Sequence, residues 1–128
     1  MENQQPHPSA KEALRRIRQE EMEDIARRKA EAIGLPYVDL LSLPINLEAL
    51  KLIPEDKARA AGAVLFQKRP KSYDLAAQDP ANLLVQDLIK TLKKFGQVQI
   101  FIASPQGLEK FWRAYQEIPK EREQITGI

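Results

Sequence analysis

The sequence predicts an α/β (α+β) fold: a small mixed sheet in two layers with packed helices, preceded by a long charged N-terminal helix. Three observations predict it. A stretch free of glycine and proline runs from Ser9 to Ile33, strand-like runs recur at 63–67, 73–77 and 98–102, and an amphipathic helical pattern separates the last two runs. With 128 residues and 43% hydrophobic content, the chain has room for one modest core without covalent staples.

The first eight residues, with Pro6, His7 and Pro8, read as a disordered tail. Ser9 and Glu12 then form a capping box, and a helix over 9–33 follows, stopped by Gly34 in the C′ position and by Pro36. Glu12 and Arg16, Glu23 and Arg27, and Asp24 and Arg28 stand four residues apart as acid-to-base pairs that favour helix over coil. The apolar positions Leu14, Ile17, Met22, Ile25, Ala26 and Ile33 make only a thin, interrupted stripe. The first half of this helix is therefore expected to project, or to pack on a neighbouring copy.

A strand is expected at Tyr37–Leu40, with Asp39 capping or closing the turn after it. Pro44 and Asn46 then introduce a short helix over Leu47–Leu52, and Pro54 opens another over Glu55–Ala61 that Gly62 closes. Ala63–Gln67 and Tyr73–Ala77 read as antiparallel neighbours around the Lys68–Ser72 turn. Asp79 and Pro80 look like an N-cap with proline at the first helical position, ahead of a helix through Leu84, Val85, Leu88, Ile89, Leu92 and Phe95 up to Gly96. Val98–Ile102 is a strand, and Ser104 with Pro105 repeats the capping device before a last helix through Leu108, Phe111, Trp112, Tyr115 and Ile118. Strand, helix, strand from Tyr73 to Ile102 makes a crossover that sets those two strands parallel. Pro119 ends the helix, and 119–128 reads as the start of a linker to a downstream domain.

Several chemistries are excluded by what the chain contains. Twenty Lys and Arg against 18 Asp and Glu leave a net charge of +2, too little field for capture of nucleic acid. There is no cysteine for a disulfide or a thiolate metal site. No apolar run is long enough to cross a bilayer, so direct membrane insertion is not expected. The five glycines are scattered and form no phosphate-binding loop, and the single His7 sits between prolines in the tail, so no nucleophile has a base. Glu20, Glu21, Glu23 and Asp24 stand beside arginines as a solvated face, Asp39 and Asp79 read as turn or cap residues, and no catalytic residue, metal ligand or cofactor is expected.

The partner-binding candidates are Lys68, Arg69 and Lys71 at the hairpin tip, with Arg27 and Arg28 on the first helix. The tip residues would meet an acidic partner, although charges at such a tip also keep a sheet edge soluble. Trp112 with Phe111 and Tyr115 reads as core at its spacing with Leu108, with a partner-binding aromatic patch as the alternative that a partly buried Trp112 would reopen.

Read together, Ala32-Ile33-Gly34-Leu35-Pro36-Tyr37-Val38-Asp39-Leu40, Pro44-Ile45, Leu47 to Glu55, Ala58-Arg59, Asp79-Pro80-Ala81-Asn82 and Ile102-Ala103-Ser104 carry a resemblance. In this order, over roughly residues 30 to 118, the chain resembles the N-terminal domain of the ATPases that drive type II secretion and type IV pilus assembly, the GspE/PilB kind, MshEN-related. The resemblance implies a compact α/β domain over 34–118 that precedes a separate ATPase core in the same chain, of a hexameric parent. It implies a non-catalytic docking or regulatory role, cytoplasmic and peripheral to the inner membrane, through the cytoplasmic domain of an inner-membrane platform protein.

Some members of that family bind cyclic di-GMP through tandem Arg-Leu-Gly-x-x-Leu segments ahead of the Gly-Leu-Pro-Tyr run. Here that region is the Ser9–Ile33 helix, which has no glycine to let a backbone approach a phosphate closely. Sensing of the dinucleotide would fall instead to arginines such as Arg15, Arg16, Arg27 or Arg28.

Overall fold

The structure, a computed structural model, describes residues 9–119. The tail expected over 1–8, His7 included, and all but Pro119 of the expected linker lie outside them. Helix α1 (Ala10–Ile33) begins on the capping box: Ser9 accepts from the Glu12 amide while Glu12 accepts from the Ser9 amide. It ends at Gly34, which takes φ 75° and donates to the Ala30 and Glu31 carbonyls.

The strand expected after Gly34 does not form. Tyr37 makes a single parallel bridge to Ile102, with Val38 donating to the Ile102 carbonyl at 2.9 Å and Ile102 donating to the Pro36 carbonyl at 2.8 Å. Pro36 has no N–H to extend the ladder, and the Asp39 carboxylate captures the Leu41 amide and the Ser42 hydroxyl. The chain therefore turns into a 3-10 helix at Leu40–Ser42.

Helix α2 (Leu47–Leu50) is capped by Asn46 and shorter than expected, and α3 (Glu55–Ala61) closes on Gly62 at φ 68°. Strands β1 (Ala63–Arg69) and β2 (Ser72–Ala77) pair antiparallel, and β3 (Gln97–Ile102) pairs parallel to β2, giving the order β1-β2-β3. The expected five-residue turn shrinks to Pro70 and Lys71, with the Pro70 ring presetting the first turn position and Lys71 at φ 66° in the second. A bulge between Leu65 and Gln67 leaves Phe66 outside the ladder, where its ring meets Phe101 edge-on at 5.2 Å.

Helix α4 (Leu83–Lys93) starts three residues later than expected, its cap falling at Asn82 and not at Asp79. The Asp79 carboxylate closes a turn on the Ala81 amide, and Asn82 becomes the cap by accepting from Leu84 at 2.8 Å. Because α4 stops at Lys93, Phe95 leaves the helical face and is 67% exposed. Helix α5 (Pro105–Arg113) is capped by Ser104 as expected, and its last turn tightens into a 3-10 helix at Ala114–Glu117.

The expected small mixed sheet with packed helices forms, but helices cover both of its faces, where two layers were expected, because the apolar residues of β1 and β2 alternate between the faces. Leu65, Leu75 and Ala77 pack with Ala58 and Ala61 of α3 and with Val85, Ile89 and Leu92 of α4. Val64, Phe66 and Ala76 pack with Leu40, Leu50, and Leu108 and Phe111 of α5. Helix α1 joins through a smaller contact of Ala26 and Ala30 with Ile102, Leu35 and Tyr37. Alanines at this seam let the helix backbone approach the end of β3 closely.

Candidate partner-binding surfaces

The buried contact of α1 includes one charged residue. Glu23, read from the sequence as part of a solvated acidic face, is 7% exposed. Its carboxylate accepts from the Tyr37 hydroxyl, from the Ser104 hydroxyl, and from Gln106 Nε2 at 2.8 Å. Gln106 also donates to the Gln19 carbonyl at 2.8 Å, so α5 grips α1 at two points one turn apart. A buried carboxylate is tolerated only with such partners, and the N-terminal end of α5 adds a favourable dipole. The Tyr37 phenol is pushed well above the ordinary tyrosine range, first by burial and then by the hydrogen bond and charge of Glu23.

The expected pairing of Glu23 with Arg27 is therefore replaced. Arg27 Nη1 donates to Asp24 at 2.6 Å, and its guanidinium lies 4.9 Å from the centre of the Tyr37 ring. Arg28 is exposed on the far side of the helix.

At the hairpin tip, the three cations separate into two kinds. Arg69 Nη2 donates at 3.0 Å to both oxygens of Asp74, which is 4% exposed, so this arginine holds a buried carboxylate. Arg69 itself stays about half exposed, and Lys68 and Lys71 are exposed with no carboxylate bound among the described residues. Beside them Gly96 lies against the Lys71 backbone and the Gln97 amide donates to the Lys71 carbonyl at 2.9 Å, which brings the end of α4 alongside the turn. Pro70, Lys71, Ser72, Phe95, Gly96 and Gln97 line a shallow depression of about 530 Å³, with Lys93 and Lys94 just before Phe95 in the chain.

The two groups of candidate cations do not converge. Lys71 neighbours Gln97 at the start of β3 and Arg27 neighbours Tyr37 beside Ile102 at its end, so a strand length of roughly 16 Å separates them.

Elsewhere polar groups of α5 and the last turn are absorbed by structure. Lys110 Nζ donates to the carbonyls of Leu40, Leu41 and Leu43 at 3.1, 3.0 and 2.6 Å, matching its three donors to the end of the 3-10 helix. Of the aromatic trio Phe111 alone is fully buried; Trp112 and Tyr115 are half-buried against the core, and the Trp112 indole donates to the Ala63 carbonyl at 3.1 Å. Tyr115 donates to the Ile53 carbonyl at 2.7 Å, and burial pushes its phenol above the ordinary range. Among the described residues no cluster of His, Asp or Glu could hold a metal ion, and no helix is long and apolar enough to cross a membrane.

A family model for the MshEN domain matches residues 33–122, more than half of the chain. The chain belongs to the MshEN domain family. The match begins at the end of α1, so the helix that carries Glu23 lies ahead of it. This MshEN domain is also similar to a solved structure of MshE with cdg, at 27% identity and a TM-score of 0.63, covering 71% of this chain and 66% of that one. The chain thus spans just under two thirds of that relative. The N-terminal domain of XpsE shares the fold at 18% identity and a TM-score of 0.56, covering 88% of this chain and 98% of that one. No curated protein matches. The MshEN domain here is an N-terminal domain of the secretion and pilus ATPase family.

Proposed function

We propose that this MshEN domain is a non-catalytic docking and regulatory module of a type II secretion or type IV pilus assembly ATPase. It holds the ATPase core of its own hexameric parent against the cytoplasmic domain of an inner-membrane platform protein, on the cytoplasmic side of that membrane. The observation that carries this reading is the MshEN match over residues 33–122.

The docking surface we assign is the hairpin-tip end of the sheet. Lys68 and Lys71 are exposed there, and Phe95 at 67% exposure offers an apolar anchor beside them. A basic rim around an exposed aromatic suits an acidic partner segment with an apolar residue. Arg27 and Arg69, tied to Asp24 and Asp74, serve the fold at their positions.

Calorimetry with the cytoplasmic domain of the cognate platform protein tests the proposal. Binding is expected, with Lys68→Glu/Lys71→Glu and Phe95→Ser each weakening it at least about tenfold. Absence of binding, or ATP turnover by the purified domain alone, overturns it.

A second reading is favoured by one observation, the cdg in the solved structure of MshE at 27% identity. Here the domain senses a cyclic dinucleotide, through exposed arginines of α1 such as Arg15, Arg16 and Arg28. Titration with cyclic di-GMP decides it: saturable heat that Arg15→Ala/Arg16→Ala removes supports sensing, and a flat isotherm at high micromolar concentration excludes it.

A further inference from the structure

The outer face of α1 carries an exposed apolar stripe. Positions 10, 14, 17, 21, 25, 28 and 32 recur at steps of three and four residues and so share one side of the helix. That side is opposite Glu23, Ala26 and Ala30, the residues through which α1 joins its own domain. Leu14, Ile17 and Ile25 are 55, 51 and 57% exposed on it, and Ala10, Glu21, Arg28 and Ala32 complete the row in the open. Apolar residues recurring along an exposed stripe call for a cover.

The two charges within the stripe say what the cover is. Glu21 and Arg28 stand symmetrically about a point next to Ile25. In an antiparallel pair about a two-fold axis there, Glu21 of each copy faces Arg28 of the other, Ile25 meets Ile25, and Ile17 faces Ala32. A parallel pair would set Glu21 against Glu21 and Arg28 against Arg28. The stripe is thus self-complementary in one orientation, and a two-fold dimer uses each ion pair twice.

We infer that α1 forms an antiparallel helix pair with a second copy of this chain, through the Ile17 and Ile25 part of this face with Glu21 and Arg28 in register; Leu14 lies past the overlap, because the position opposite it is beyond the Gly34 stop. Two large apolar residues per copy make a small interface, so the association is weak and concentration-dependent.

Sedimentation velocity of the full chain from about 10 µM to about 1 mM tests it, the upper end being set by the small interface. Reversible dimerisation is expected. Glu21→Arg and Arg28→Glu each raise the dissociation constant at least about tenfold, since each reversal turns two attractive pairs repulsive. A mixture of the two single variants, and the double reversal in one chain, associate as the wild type does. All four positions of the dimer's charges are exposed, so circular dichroism should be unchanged by the reversals. A monomer across the whole range, or single reversals without effect, or a double reversal that does not restore association, overturns the inference; a different helix covering this face would give the first result.

Discussion

Glu23 and Tyr37, 14 residues apart, meet through the Tyr37 hydroxyl on the Glu23 carboxylate, across the Gly34 stop that ends helix α1 one residue after the family match begins. With Ser104 and Gln106 on the same carboxylate, this contact ties the helix to the domain.

Removing the carboxylate should loosen that tie. Glu23→Ala takes the shared acceptor from two hydroxyls and an amide, those of Tyr37, Ser104 and Gln106, and is expected to cost about 2–4 kcal/mol. Glu23→Gln keeps the shape and one acceptor and should cost less. Denaturant midpoints give the magnitudes, and hydrogen exchange should show the loss concentrated in residues 19–33. Exchange unchanged in α1 would mean that Ala26 and Ala30 hold the helix alone.

Tyr37 and Tyr115 make stability fall at alkaline pH. Both phenols are raised in the folded chain, chiefly by burial, so the unfolded chain ionises first as pH rises. The native state then holds more protons than the unfolded state, and by linkage stability declines with pH. It is full below the ordinary tyrosine range, near 10, and is lost progressively above it. Equilibrium unfolding followed from pH 8 to 11 should show the decline, flattened in Tyr115→Phe; an unchanged slope in that variant would remove Tyr115 from the account.

Gly96 is required by a close approach. A Cβ there would stand 2.5 Å from the carbonyl carbon and oxygen of Lys71, both backbone atoms that cannot swing aside. Gly96→Ala should destabilise the domain by about 2–3 kcal/mol, measured by urea unfolding, and shift the amide resonances of 70–72. Gly107→Ala, where the nearest contact is a Leu40 side-chain carbon at 3.0 Å, should cost less.

The hairpin-tip cations should separate by experiment. Arg69→Ala strands the buried Asp74 carboxylate and is expected to lower stability by about 3 kcal/mol. Lys68→Ala and Lys71→Ala, at exposed positions, should change it by less than about 0.5 kcal/mol. Thermal unfolding of the three variants would show it, and equal effects would contradict the distinction.

Much of this fold is legible where the controlling contact is local. The Ser9 and Glu12 box, the Gly34 and Gly62 stops and the Ser104 cap each depend on atoms within four residues, and each stands where its residue types place it. Asp79 shows the limit even there: a carboxylate before proline can close a turn or cap a helix, and its neighbour Asn82 took the cap. Of the candidate site, Lys68, Arg69 and Lys71 are legible as exposed cations, but neither the grip of Arg69 on the buried Asp74 nor the arrival of Phe95 beside Lys71 is. Both depend on where β2 and the end of α4 lie.

The sequence by itself determined both ends of α1 and α3, the start of α5, the antiparallel hairpin and, through the crossover, the parallel pairing of β2 with β3, because short-range capping and hydrophobic period act on one segment at a time. Tertiary structure alone decided that Glu23 is interior while Glu20, Glu21 and Asp24 are not, since its acceptor sites are filled by Ser104 and Gln106, 81 and 83 residues away. It likewise gave Lys110 to carbonyls 67 to 70 residues distant and Trp112 to Ala63. A charge states what a side chain can bond; only the packed chain brings the partners that make its burial tolerable.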